Sequence, residues 1–301
     1  KGFTMRFFTL TTIFLIILSA PGAFASSLKL YWANSGAGVI QSANLDGSNV
    51  QTLPIATTGL YDVKILGDKV YWTQTDGKIC RANLDGSAVE NILTGQGSMR
   101  KITFDTINNK MYWIEVTNNT LKRANFNGTN IETIVSGISH PIGLDLDIAN
   151  QKIYYAEHSS GNLKSVNFNG SNVQTILSTG TYLHDMVLDT QAGYMYWAEV
   201  SNHAIHRTKL DGTNSIVIAS SGNGVNYPPS IMVDQQAGKL YWTNHYGHSI
   251  QRSNLDGTQI ETVVSGLSYP IGLSMSTVPE PSYLSFLAAA IFCAIFCKKI
   301  F

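Results

Sequence analysis

KLYWTNHYGHSIQRSNLDGTQIETVV, residues 239–264, decides how this chain folds. The run 239–243 is β-branched and aromatic and reads as a strand. A polar loop with Gly247 follows. Residues 249–255 alternate apolar and polar, as a strand does. Asp256-Gly257-Thr258 is a hairpin turn, because Asp-Gly tolerates the positive φ that tight turns need. Residues 259–264 alternate again. Ser265-Gly266 then leads through Tyr269-Pro270 into a fourth strand, 271–276. Four strands joined by short loops make an antiparallel meander. Its large apolar residues lie on both faces, so both must be covered, and like neighbours packed radially do that.

The unit recurs. Aromatic pairs stand at Tyr31-Trp32, Tyr71-Trp72, Tyr112-Trp113, Tyr154-Tyr155, Tyr196-Trp197 and Tyr241-Trp242, at steps of 40, 41, 42, 42 and 45 residues. Each is followed by a glycine in Asp-Gly or Asn-Gly: Gly47, Gly86, Gly128, Gly170, Gly212 and Gly257. A period of ~40–45 residues is the signature of propeller blades. The expected fold is all-β, a six-bladed β-propeller over 26–276. Repeats two to six each have a strand before their aromatic pair, at 63–66, 102–105, 143–147, 185–189 and 230–234. The first repeat lacks one, and a surplus copy, PIGLSMS, follows the sixth at 270–276. That copy is expected to complete blade one, pairing the two ends so that no edge strand is left open.

LYWTNHYGHSIQRSNLDG and VYWTQTDGKICRANLDG resemble the YWTD repeat, also called the low-density lipoprotein receptor class B repeat, and the resemblance covers 28–276. That family forms six-bladed propellers, matching the six pairs here. The chain departs from the pattern at the acid closing the motif, which is Asn34, Gln74, Glu115, Glu157, Glu199 and Asn244 and never Asp. A weaker hydrogen-bond network is expected there.

The chain has 301 residues, 13% of them charged, and a formal net charge of zero. Neutrality argues against nucleic acid as a partner, which needs clustered Lys or Arg. Lys29, Lys69, Lys110, Lys152 and Lys239 open strands and read as solvated. Cys80 is the one cysteine within the repeats, so no disulfide forms there. It aligns with Gln41, Lys122, Lys164, His206 and Gln251, a polar column that places it partly in solvent.

The ends carry targeting patterns. Residues 1–25 read as a secretory signal, with Met5 as the natural start, Arg6 as the positive end, an apolar centre at 13–18 and an Ala23-Phe24-Ala25 cleavage site. The tail 277–301 places Pro279-Glu280-Pro281 before an apolar run, 283–297, and Lys298-Lys299 after it. Fifteen helical residues rise ~22 Å, short of a ~30 Å bilayer core. The order resembles the PEP-CTERM sorting signal of bacteria. That resemblance implies export, recognition by an exosortase-like enzyme, and retention in or passage through the envelope, transiently or stably anchored by the C-terminal segment. It also implies an association with exopolysaccharide and biofilm. A dilysine retrieval signal and a plain membrane anchor are the alternatives.

No nucleophile elbow, phosphate loop, zinc spacing or dinucleotide fingerprint is present. The functional reading is a non-enzymatic module, without cofactor or metal, that binds or displays an extracellular protein or polysaccharide. The alternatives are a structural matrix protein without a discrete ligand and a lactonase-like hydrolase with a central calcium. A calcium site needs converging carboxylates, and the inner strands offer Asp62, Asp105, Asp145, Asp147, Asp185, Asp189 and Asp234 beside Lys64 and Lys101. Asp105, Asp147, Asp189 and Asp234 recur at one repeat position and read as structural. His140, His158, Tyr182, His184, Tyr227, His245 and Tyr269 map to one face of the ring and vary from blade to blade. The opposite face repeats the same turns. A non-repeating surface on a rigid scaffold is the expected ligand face.

Overall fold

The computed structural model describes residues 28–276. The signal segment, Cys293, Cys297 and the tail residues Pro279, Glu280, Pro281, Lys298 and Lys299 lie outside them. Among the described residues there are 24 strands in six four-stranded antiparallel sheets. No helix among them is long and apolar enough to cross a membrane.

Blade one is closed as its sequence requires. Its sheet runs Pro270–Met275, Lys29–Asn34, Val39–Asn44, Gln51–Ala56 from the axis outward. Tyr31 stands opposite Ser274 and Trp32 opposite Leu273. The Ser276 amide donates to Lys29 O at 2.9 Å, and the Lys29 amide donates to Ser276 Oγ at 3.0 Å.

The other inner strands are Leu60–Leu66, Met99–Asp105, Pro141–Asp147, Leu183–Asp189 and Ile231–Asp234. Four of these begin ahead of the expected residues. In each, the pairing register breaks near the start, between Leu60 and Val63, Met99 and Ile102, Pro141 and Gly143, and Leu183 and Asp185. Such bulges hide the first residues from an alternation count. The sixth inner strand starts late, at Ile231, because Pro228 and Pro229 have no amide to give a ladder.

The core lies between blades. Trp32, Trp72, Trp113, Tyr155 and Trp242 are fully buried, and Trp197 is buried. Each aromatic layer meets the next blade: Tyr112 and Ile114 of blade three pack with Leu144 and Tyr155 of blade four. The hairpin glycines are needed twice over. Gly128 sits at φ 82°, and a Cβ there would lie 2.4 Å from Ile92 O of the preceding blade. Gly170, Gly212 and Gly257 make the same approach to Ile134 O, Ile176 O and Ile218 O. A side chain at these positions would strain the backbone and push adjacent blades apart.

The motif-closing residue is buried in every blade, and its network is not weakened as its departure from Asp led us to expect. Each blade carries a matched pair instead. Glu115, Glu157 and Glu199 accept from Lys122, Lys164 and His206 at 3.0, 2.8 and 2.8 Å. Asn34 and Asn244 donate to Gln41 and Gln251 at 2.9 and 2.7 Å. Gln74 accepts from Cys80 Sγ at 3.4 Å. Each acid faces a lysine or a histidine, two of the three amides face an amide, and Gln74 faces a thiol, so the two columns are matched. Cys80 is therefore buried, not partly exposed, and burial pushes its thiol up to about 11. The column is polar because it faces the motif-closing residue inside the blade. The strand-opening lysines are half-buried, and Lys110 and Lys239 donate to Asn125 and Asn254 at 2.6 and 2.7 Å.

This pairing makes a prediction. Lys122→Ala leaves the fully buried Glu115 carboxylate with only Trp113 Nε1 and Asn118 Nδ2 as partners. We expect a loss of about 2 kcal/mol or more, since one member of a buried pair is left alone. The double variant Glu115→Asn, Lys122→Gln copies blades one and six and should return to within about 1 kcal/mol of the parent in urea denaturation. A double variant no better than Lys122→Ala would refute the matched-pair account.

Candidate functional site

The register of the inner strands builds the site. Leu273, Val63, Ile102, Leu144, Met186 and Ile231 stand opposite the second member of each aromatic pair. Two residues earlier stand Ile271, Tyr61, Arg100, Ile142, His184 and Pro229. All six line a cavity of about 370 Å³ at the mouth of the ring, together with Ser35, Leu60, His140, His158, Tyr227 and His245. That volume is in the range of small-ligand sites.

One residue deeper the axis is closed. The layer consists of Gly272, Asp62, Lys101, Gly143, Asp185 and Ser230. Lys101 Nζ lies 2.7 Å from Asp185 Oδ2 and 3.6 Å from Asp62 Oδ1. Burial alone would lower the Lys101 pKa, but Asp185 and Asp62 hold it above its ordinary value. Asp185 also accepts from Ser230 Oγ at 3.2 Å and the Ile231 amide at 3.0 Å. A central calcium does not fit this layer, because an ammonium stands between the carboxylates. Among the described residues no group of three or more His, Cys, Asp or Glu side chains is placed to hold a metal. Asp105, Asp147, Asp189 and Asp234 cap turns, accepting the amides of Asn108, Asn150, Ala192 and Ala237 at 3.0 to 3.1 Å. Their structural reading holds.

The seven residues singled out in the sequence form one chain of rings around the mouth. His140 and His158 are 4.9 Å apart by centroid, and His158 and Tyr182 are 5.2 Å apart. The chain continues from His158 to His184 at 6.1 Å, to Tyr227 at 5.8 Å, to His245 at 5.7 Å and to Tyr269 at 5.1 Å. Three further residues belong to the site. Tyr61 stacks on His184 at 6.0 Å, Arg100 lies 4.2 Å over the Tyr61 ring, and Tyr246 packs on Tyr227 at 4.9 Å. Tyr61 and Arg100 share the strand position of His184, which only the register reveals. Tyr246 follows His245 in the loop after the aromatic pair.

The motif-closing residues hold this rim. Asn34 Oδ1 accepts the Ser268 amide at 2.7 Å, beside Tyr269. Asn244 Oδ1 accepts the Asn226 amide at 2.9 Å, beside Tyr227. The Tyr269, Tyr227 and His140 carbonyls accept from Ser35, His245 and His158 amides at 3.2, 3.1 and 2.9 Å. So held, His140, Tyr227 and Tyr269 adopt φ of 51°, 54° and 55°. Bulky residues in the left-handed region cost on the order of 1 kcal/mol or more each, and such strain collects at functional sites.

His140, His184 and His245 are neutral donor–acceptor groups. His184 Nδ1 donates to Pro229 O at 2.9 Å, so its Nε2 is free to accept from Tyr61 Oη at 3.1 Å. Burial lowers the His184 pKa to about 3. Burial also lowers His140 and His245. The hairpin face is saturated by comparison. Thr129, Ser171 and Thr258 hydroxyls donate to Asn127, Asn169 and Asp256 of their own turns at 2.7, 2.6 and 2.6 Å.

No family model and no curated protein matches this chain. Solved structures do. A chain in the crystal structure of a nidogen/laminin complex is 17% identical, with a TM-score of 0.73 over 82% of this chain and 98% of that one. A streptogramin B lyase is 16% identical, with a TM-score of 0.56 over 80% of this chain and 74% of that one. At these identities the likeness is one of fold: the described chain is a six-bladed β-propeller.

Proposed function

We propose that this protein is an exported, envelope-associated binding and display module whose ligand, a protein or a glycan, seats at the mouth of the ring. The observation that supports this best is the continuous chain of tyrosine and histidine rings around the cavity, mounted on strained backbone. Tyr182, Tyr246 and Tyr269 are 54%, 53% and 42% exposed, an arrangement that folding alone does not reward. Tyrosine offers apolar area with a polar tip at low entropy cost. The Lys101 layer below turns the mouth into a closed cup rather than a channel. A nidogen/laminin complex contains a propeller of this fold, which is compatible with a binding role.

A glycan array and a pull-down with fragment 26–276 test the reading. For any ligand found, Tyr182→Ala, Tyr246→Ala and Tyr269→Ala are expected to weaken binding by more than ~1 kcal/mol at each hot spot. Thr129→Ala, Ser171→Ala and Thr258→Ala should change it little. Loss of binding through the hairpin-face changes alone would assign the wrong face.

Export and envelope association rest on the Ala23-Phe24-Ala25 site and on the order of Pro279-Glu280-Pro281, the apolar run and Lys298-Lys299. Mass spectrometry of the mature protein should find Ser26 at its start. An intact Met5 terminus would count against export by cleavage.

A further inference from the structure

Arg100 stands apart from the other arginines of the described residues. Arg81, Arg123 and Arg252 are paired with Glu90, Glu132 and Glu261, and Arg207 donates to Leu255 O at 3.2 Å. The Arg100 guanidinium makes no hydrogen bond to any described residue, and its Nε is buried without a partner. It nevertheless lines the cavity, fixed over the Tyr61 ring at 4.2 Å. The acids nearest below are already engaged. Asp185 accepts from Lys101, Ser230 and the Ile231 amide, and Asp62 Oδ2 accepts the Ile102 amide at 3.1 Å while its Oδ1 faces the Lys101 ammonium at 3.6 Å without a hydrogen bond.

We propose that the ligand of this mouth is a saccharide bearing a carboxylate, a uronic-acid unit whose carboxylate pairs with Arg100. The proposal rests on the binding-module reading above and deepens it. A guanidinium is a planar fork of donors that matches a carboxylate with two parallel hydrogen bonds. Leaving it unpaired in a partly desolvated cup wastes that capacity, and a ligand carboxylate restores it. The surrounding charge selects a monoanion. His140, His184 and His245 are held neutral by burial, so Arg100 is the one permanent cation lining the cavity, and a phosphate dianion would be under-neutralised.

The rest of the lining suits a sugar ring. A pyranose has hydroxyls at its edge and C–H groups on its faces. The cup offers imidazoles, the Tyr227 phenol and the Ser35 hydroxyl for the edge, and Ile142, Ile271 and Pro229 for the faces. Neutral imidazole donates at one nitrogen and accepts at the other, as hydroxyls require.

The test titrates the full chain in detergent with hexuronate oligomers, with neutral hexose oligomers of the same linkage, with sulfated oligomers and with an oligoglutamate peptide. The uronate is expected to bind about tenfold or more tightly than its neutral counterpart, the worth of one charge-assisted pair. Arg100→Gln should remove that preference and leave residual neutral-sugar binding. Arg100→Lys should keep part of it, as a point charge without the fork. Because the Arg100 side chain makes no hydrogen bond and its stacking over Tyr61 is worth only about 1 kcal/mol, both variants should fold and melt within a few degrees of the parent, which separates recognition from folding. Equal affinity for uronate and neutral oligomer, a preference that survives Arg100→Gln, or tighter binding of the sulfated oligomer or the peptide would each overturn the proposal. If uronate and neutral sugar bind equally and Tyr182→Ala or Tyr269→Ala abolishes both, the binding module stands and the carboxylate inference falls. If no probe binds in a tyrosine-dependent way, the carboxylate inference falls, and the binding-module reading falls with it only if the pull-down also captures nothing through the tyrosine face.

Discussion

A chain ended at Tyr269 is expected to lose its cooperative unfolding transition altogether. The strand it lacks, Pro270–Met275, supplies the axis-facing edge of blade one. Leu273 packs with Leu30 and Trp32, and Ile271 packs with Leu60 and Val63 of the next blade. Removing a buried aliphatic side chain costs about 2–5 kcal/mol. Two of them approach the ~5–15 kcal/mol that separates a folded domain from its unfolded chain. The Lys29–Asn34 edge would also be left without its ladder. Thermal unfolding followed by near-ultraviolet circular dichroism checks this. A truncated chain melting at the parent temperature would show that the ring does not depend on closure by this strand.

The second large effect is expected at Lys101. Its ammonium is the counterion of Asp62 and Asp185 in a layer where all three are at most 5% exposed. Lys101→Ala leaves two carboxylates buried together and should cost about 3–5 kcal/mol at neutral pH. Burial already raises the Asp62 pKa, opposed mainly by Lys101. Without Lys101, the folded-state Asp62 carboxylate binds protons more readily than the unfolded one. The folded variant then gains stability relative to the unfolded chain as pH falls, and loses it as pH rises through the unfolded and then the folded pKa. The deficit against the parent should therefore be largest at pH 7 and shrink toward pH 4 to 5 in urea titrations. Adding Asp62→Asn and Asp185→Asn to the variant should recover much of the loss at pH 7. A deficit independent of pH, with no recovery, would mean that Lys101 acts through packing and not charge.

The propeller was legible because each aromatic pair occupies a fixed place in its blade, so spacing alone counted the blades. Ring closure was legible because a missing strand and a surplus one are complementary facts. The inner-strand starts were not, because bulges at Leu60, Met99, Pro141 and Leu183 break the alternation that marks a strand. Cys80 was misplaced because polarity in a column signals solvent only when nothing polar faces it from within. At the mouth, His140, His158, Tyr182, His184, Tyr227, His245 and Tyr269 stood out because they lie in or near loops that differ between blades. Tyr61 and Arg100 sit inside strands, beside Asp62 and Lys101. Their aim toward the axis follows from which residue pairs with Trp72 and Trp113, and a linear sequence does not state that.

The Lys29–Ser276 hydrogen bond joins residues 247 positions apart. Blade one is thus the first to leave the ribosome and the last to be completed. At a synthesis rate of about 5–20 residues per second, its inner edge waits roughly ten to fifty seconds for a partner. Throughout that interval the strand Lys29–Asn34 presents unpaired amides and carbonyls, a template for wrong pairing. The nascent chain must be kept apart from its copies until residue 275 is made, and folding then ends in one late, long-range step rather than blade by blade.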